Sequence, residues 1–285
     1  MSDLIQYAQR GRNTWWAWLL GPILGFTLAL VAGVLITIAV MLAGAAPPDL
    51  AQQIARPTHP RVFFITTGVT FGCILAGLAA SAWLVQAKRP TDLIGDWRWR
   101  GFVAGAAAWS LAQVAAAALD YALAPASFRL TASAATLELA LAAVPALAVQ
   151  TFAEEFVFRG LATQGLRLLL PPLPCALASG ALFAVVHIPN GWPQAANALV
   201  FGVAAAWIAL RTGGLATTFG MHLANNLFGA LVVVSTADVF RGAPGLFTQQ
   251  PLQGLWVDVM MQGALMIALT LVITRMTRTQ PGTNT

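Results

Sequence analysis

Charge is what this sequence has least of. Asp, Glu, Lys and Arg make up 9% of its 285 residues, while 58% are hydrophobic; an average soluble domain carries roughly three times that share of charge. So few charges exclude a water-soluble globule and make lipid the expected solvent. Cysteine is scarce too, and Cys73 and Cys175 both fall in apolar segments. That excludes a disulfide framework or a cysteine-rich zinc ribbon and leaves two small buried thiols with no redox role. Long polar linkers and internal repeats are missing, so a single membrane domain is expected. The chain has no His-Glu-x-x-His sequence, which excludes the zincin type of metal site. The net charge of +5 does not signal nucleic acid, because the basic residues stand between apolar segments, where they orient a membrane protein.

A helix that crosses a bilayer needs about 20 apolar residues. Such stretches at 19–43, 62–87, 101–124, 144–170, 173–188, 195–211, 215–235 and 255–274 predict an all-α fold, a polytopic helix bundle of about eight spans. A tail at 1–18, one transmembrane domain at 19–274 and a tail at 275–285 complete the organisation. Arg10 and Arg12 ahead of an apolar stretch, with Ala43, Ala45 and Ala46 after it, imitate a signal peptide. The stretch from Leu19 to Ala43 is too long for that, so it is expected as a retained first helix. Residues 131–143 are also apolar but carry Glu138, and Pro145 is expected to kink or end a helix, which leaves room for a separate interfacial helix there. The pieces at Pro47-Pro48, at Pro171-Pro172-Leu173-Pro174 and from Pro189 to Pro193 are expected as turns.

Of the fifteen Lys and Arg residues, all but Arg56, Arg61, Arg129 and Arg241 fall on one side of this eight-span drawing, which predicts that both termini are cytoplasmic. Trp15, Trp16, Trp18, Trp97, Trp99, Trp192 and Trp256 lie near predicted span ends, where an indole can sit at headgroup depth. Gly21 and Gly25, Gly68 and Gly72, and Gly101 and Gly105 have the spacing that lets helices approach closely, and are expected as packing faces.

Against this apolar background a few ionisable residues are out of place. Glu154 and Glu155 are adjacent within an apolar segment, and a carboxylate at mid-bilayer costs at least ~2.5 kcal/mol. Arg159, four residues after Glu155, shares its helical face and can satisfy it. Glu154 points about 100° away and is left free for chemistry. His187 ends the apolar run Leu182 to Val186 with Phe183 four residues before it, and His222 is followed four residues later by Asn226. If helices four and five form a hairpin at Pro171-Pro172, Glu154 and His187 lie roughly 25 and 22 Å from the turn, whereas His222 lies only about 12 Å past Gly214. The seventh helix or its turn at Gly214 must therefore sit deeper than a simple drawing puts it. Spacing alone leaves two readings open: a buried polar network that fixes helix register or passes protons or solutes, and a hydrolytic site.

The three motifs, Glu154-Glu155-xxx-Arg159, Phe183-xxx-His187 and His222-xxx-Asn226, resemble those of the CPBP family of intramembrane proteases. That family includes the CAAX prenyl endopeptidases and bacterial proteins linked to bacteriocin processing and immunity. The resemblance covers about 140–235. It implies an integral protein of the bacterial inner membrane that hydrolyses peptide bonds of membrane-associated protein or peptide substrates. Carried over by position, it implies that Glu154 activates water, His187 and His222 orient or bind it, and Asn226 with a histidine stabilises the oxyanion, with Glu155, Arg159 and Phe183 in support. The family has been described both as glutamate-dependent and as metalloproteases. Direct activation by Glu154 is the preferred reading here, and zinc held by His187, His222 and Glu154, with a fourth position open for water, is the alternative. A zinc-bound histidine usually hands its second ring nitrogen to a carboxylate, and Glu155 is already assigned to Arg159. The competing function is a non-catalytic membrane protein, of the immunity or transporter-like kind, built on the same network.

Overall fold

Every apolar stretch named above is largely helical, the 215–235 stretch ending in a strand, and two five-residue helices, at 4–8 and 90–94, join them. In chain order these are α1 (Leu4–Ala8), α2 (Trp15–Leu42), α3 (Pro60–Gln86), α4 (Pro90–Ile94), α5 (Trp99–Leu123), α6 (Ala134–Arg167), α7 (Pro172–Val185), α8 (Trp192–Thr212), α9 (Ala216–Leu227) and α10 (Leu255–Arg278). The computed structural model describes residues 4–46, 59–237, 239–250 and 255–278; the Pro47-Pro48 turn, Arg56 and the tail beyond residue 278 lie outside them. Among the described residues five helices, α2, α3, α5, α6 and α8, are long and apolar enough to cross a membrane, while α7 and the Val259–Arg275 part of α10 are shorter apolar helices. Eight is thus the number of rods rather than of full-length spans.

The packing inverts the rule for a protein in water. α2 buries Ala17, Gly21, Gly25 and Ala29 and turns Leu19, Ile23, Leu30 and Leu35 outward. Large apolar side chains lose nothing by facing lipid, and small ones inside let backbones approach. A Cβ on Gly25 would lie 2.9 Å from Leu78 Cα, which fixes α2 on α3; one on Gly68 would lie 3.2 Å from Ala146 Cα, which fixes α3 on α6. Gly105 abuts the backbone of Thr217, joining α5 to α9.

α6 corrects the expectation at Pro145. No separate interfacial helix precedes it: one helix starts ten residues earlier than expected, at Ala134, and runs through Pro145. Ser133 N–H donates to Thr136 Oγ1 at 3.2 Å and helps set the start. The proline lines a cleft of about 540 Å³ with Ile65, Val69 and Leu141, so the ring that interrupts the hydrogen-bond ladder faces open space rather than a packed neighbour. Beyond Glu155 the same helix widens into a π segment, Phe156–Ala162. Carbonyls near the widened turn find local donors: Phe158 O accepts from Thr163 Oγ1 at 2.7 Å and Ser179 Oγ at 3.2 Å, and Thr163 O accepts from Cys175 Sγ at 3.3 Å. A second π segment, Phe228–Val232, follows α9.

The two ends of the bundle differ. At one end three short strands, β1 (Phe128–Leu130), β2 (Val233–Ser235) and β3 (Phe247–Gln249), make a sheet in the order β1-β3-β2. Hydropathy gave no hint of it. At the other end α1 is folded into the bundle, with Leu4 and Ala8 fully buried, and Lys88 Nζ donates to the carbonyls of Tyr7, Ala8 and Arg10. Here the turn between α8 and α9 pairs with the chain after α4 through a Gly95–Gly214 bridge, with Asp96 N–H donating to Gly213 O and Leu215 N–H to Ile94 O. A Cβ on Gly160 would lie 2.9 Å from Leu93 O, and Gln164 Nε2 donates to Asp92 O and Leu93 O. The turn therefore sits level with Gly160–Gln164, seven to eleven residues before Pro171 rather than at that end of the hairpin. That depth supplies the missing reach for His222.

Candidate active site

Glu154 and Glu155 end the regular part of α6, just before its π segment, and α9 lies alongside them. Glu155 and Arg159 are both fully buried, with Arg159 Nη1 3.0 Å from Glu155 Oε1. The contact is an ion pair without hydrogen-bond alignment: none of the three guanidinium nitrogens has a hydrogen-bond partner among the described residues. The cation instead lies over the ring of Phe183 at 4.6 Å and near that of Phe201 at 5.7 Å, an attraction that low dielectric strengthens.

His222 bridges the two carboxylates. Its Nδ1 lies 2.9 Å from Glu155 Oε1 and its Nε2 lies 3.5 Å from Glu154 Oε2. An ionised carboxylate only accepts, so Glu155 holds the proton of His222 on Nδ1 and leaves the Nε2 lone pair toward Glu154. This corrects the sequence argument that Arg159 uses up Glu155, because one oxygen of Glu155 serves both. Glu154 is bonded through Oε1 alone, to Gln150 Nε2 at 2.6 Å. Its Oε2 is buried with no hydrogen-bond partner among the described residues.

Asn226 closes the other side. Its Nδ2 donates to Gln150 Oε1 at 3.1 Å and lies 3.4 Å from Thr151 Oγ1, and its Oδ1 accepts from Asn225 Nδ2 at 3.1 Å. Asn225 Oδ1 in turn accepts from Trp109 Nε1 at 3.1 Å and Gln113 Nε2 at 3.3 Å, both on α5. Glu154, Glu155, Arg159, His222 and Asn226 are thus gathered in one network.

His187 is nearby but not part of it. It follows α7, where Nδ1 meets Phe183 O at 2.7 Å and the imidazole packs on the Phe183 ring at 4.4 Å between centroids. Phe183 also meets His222, edge to face at 5.8 Å. The expected bracing of His187 by Phe183 is present, and the phenyl ring is its link to His222. Among the described residues no group of three or more His, Cys, Asp and Glu side chains is placed to hold a metal ion. His222 alone meets the donor pattern of a ligand backed by a carboxylate. His187, His222 and Glu154 together do not form a converged three-ligand set.

Sequence reasoning missed Gln150, Thr151, Trp109 and Gln113. Gln150 stands four residues before Glu154, a spacing that puts both on one helical face, and Gln113 is the lone side-chain amide in the 101–124 stretch; both signals were readable. Trp97, expected at a membrane interface, packs with Trp99, Phe152 and Phe219 at centroid distances of 5.2, 6.1 and 6.0 Å.

Residues 136–228 match the family model described as type II CAAX prenyl endopeptidase Rce1-like. All three motifs fall inside that segment. Over 263 aligned residues the chain is 26% identical to the uncharacterized protein YyaK of Bacillus subtilis strain 168, with 86% of this chain and 87% of that protein covered. No solved structure matches.

Proposed function

We infer, starting from a helical membrane chain whose residues 136–228 are Rce1-like, that this protein is an intramembrane endopeptidase acting on membrane-associated proteins or peptides. The observation that carries the reading is the unpaired Glu154 Oε2 facing His222 Nε2 at 3.5 Å. Two acceptors so placed take both protons of one water and leave its lone pair directed outward, toward a substrate carbonyl. Glu154 accepts a proton as the water oxygen bonds to the carbonyl carbon, and returns it to the amide nitrogen as the C–N bond breaks. Asn226, held beside Glu154 through Gln150, is the donor for the oxyanion. Its 3.4 Å contact to Thr151 is the weak one that a developing oxyanion would replace. His187, half-buried beside Phe183, offers a second donor if it is protonated. The pair formed by Glu155 and Arg159 fixes His222, and no step here runs through a metal.

The test is Glu154→Gln, which keeps volume and removes the base. The membrane proteome of cells carrying the wild-type chain should contain a cleaved protein that is intact when Glu154→Gln replaces it at equal abundance. Normal cleavage by Glu154→Gln would refute the assignment. A proteome indifferent to both forms would favour a structural or proton-conducting network.

A further inference from the structure

We propose that Trp109 and Asn225 are positioning residues, which fix the direction of a hydrogen-bond chain ending on Glu154 and so leave one of its oxygens free. The inference rests on Glu154 being the base and extends the site to α5, outside the three motifs. The chain runs from Trp109 Nε1 to Asn225 Oδ1 at 3.1 Å, from Asn225 Nδ2 to Asn226 Oδ1 at 3.1 Å, from Asn226 Nδ2 to Gln150 Oε1 at 3.1 Å and from Gln150 Nε2 to Glu154 Oε1 at 2.6 Å.

Every link has a nitrogen donating to an oxygen in the same sense. The three amides in the middle could each be turned end for end, since an amide donates from one end and accepts at the other. Only the two ends decide. An indole N–H can only donate, and an ionised carboxylate can only accept. Trp109 is 1% exposed, Asn226 and Glu154 are each 8% exposed, and Asn225 and Gln150 are half-buried, so a reversed link is costly at the buried ends of the chain. Gln113 Nε2, the second donor to Asn225 Oδ1 at 3.3 Å, adds to the bias. The close approach of α5 to α9 at Gly105 and Gly220 is what brings the indole within reach. The result is that Glu154 Oε1 is occupied and Oε2, the oxygen facing His222, carries no hydrogen bond.

Asn225→Asp tests the direction without changing size. The new side chain still accepts from Trp109 and Gln113 but has no N–H for Asn226, so Asn226 and then Gln150 must turn over, presenting an oxygen to Glu154. Full-length protein in detergent would be assayed on a fluorogenic peptide with a prenylated CAAX C-terminus. Infrared difference spectra, each taken against the matching Glu154→Gln protein, isolate the Glu154 carboxylate band. The expected result, in protein that still folds, is kcat at least about tenfold lower with KM within about twofold, together with a shifted Glu154 band. A folded Asn225→Asp protein with normal kcat and an unmoved band overturns the proposal, as does a loss confined to stability and KM. Trp109→Phe combined with Gln113→Leu removes both donors by apolar replacement and carries the same readouts should Asn225→Asp not fold. A shifted band in a chain that cleaves neither this peptide nor any membrane protein upholds the hydrogen-bond chain and sinks the peptidase reading instead.

Discussion

Glu155→Gln should cost the protein stability rather than merely activity, and the geometry sets the size of the loss. Arg159 is fully buried, Glu155 Oε1 is 3.0 Å from its Nη1, and no guanidinium nitrogen has a hydrogen bond to fall back on. Breaking a buried pair by removing one partner costs roughly 3–5 kcal/mol, because a cation is left uncompensated in low dielectric. The glutamine oxygen can still accept from His222 Nδ1, returning ~1 kcal/mol. The attraction of Arg159 to Phe183 and Phe201 is the same in both proteins and cancels. A net loss of about 3 kcal/mol corresponds to a drop in Tm of roughly 6 to 12 °C for a chain of this size. Cys73 and Cys175 are free and buried, so a thiol-reactive dye that fluoresces on reaction reports unfolding directly in detergent. Replacing both partners, as Glu155→Gln with Arg159→Met, should recover more than half of the loss. A Glu155→Gln protein that melts with the wild type would refute the reasoning, since Arg159 would then not depend on Glu155 for its charge.

From the bias of Lys and Arg toward one side, both termini and the 88–100 loop are predicted to face the cytoplasm; compartment-specific reporters fused at residue 100 and residue 245 should read opposite sides, and the same side at both points would break the eight-rod topology. Gly160→Ala places a Cβ 2.9 Å from Leu93 O, which should displace the turn at 213–215, lower Tm by the equivalent of about 1–3 kcal/mol and cut turnover more than stability alone explains. Normal turnover would show that the deep turn does not set the position of His222. Exhaustive chelation should leave activity intact, with well under one metal per chain by elemental analysis; stoichiometric zinc whose removal abolishes activity and whose return restores it would make His187 and His222 ligands.

Hydropathy located all eight rods because lipid selects strongly on mean apolarity, but it could not see where one rod passes through a proline. At Pro145 the outcome depends on what the ring faces, and that is a property of α3 and α6 together. The strands at 128–130, 233–235 and 247–249 are three residues each, too short for an alternating pattern to register. Within the site, the charged members stood out because a charge in an apolar segment is improbable. Gln150, Asn225 and Gln113 are neutral, so the spacing of Gln150 and the isolation of Gln113 mark them far more weakly than a charge would. What ranks them is position in a chain of donors, which exists only after α5, α6 and α9 have met.

That meeting has a consequence for how the protein is made. His222 lies 67 residues after Glu155, so a ribosome adding about 5–20 residues per second reaches it roughly 3 to 13 s later. During that interval α6 must already be entering the membrane without its histidine. Glu155 and Arg159, four residues apart on the same helix, cancel each other from the first moment and leave Glu154 as the one uncompensated charge between residues 139 and 166, while Gln150 on the preceding turn already offers that carboxylate an N–H. The ion-pair partner and the hydrogen-bond donor that α6 carries within itself would thus serve as a provisional cage during insertion, to which α9 adds the final wall.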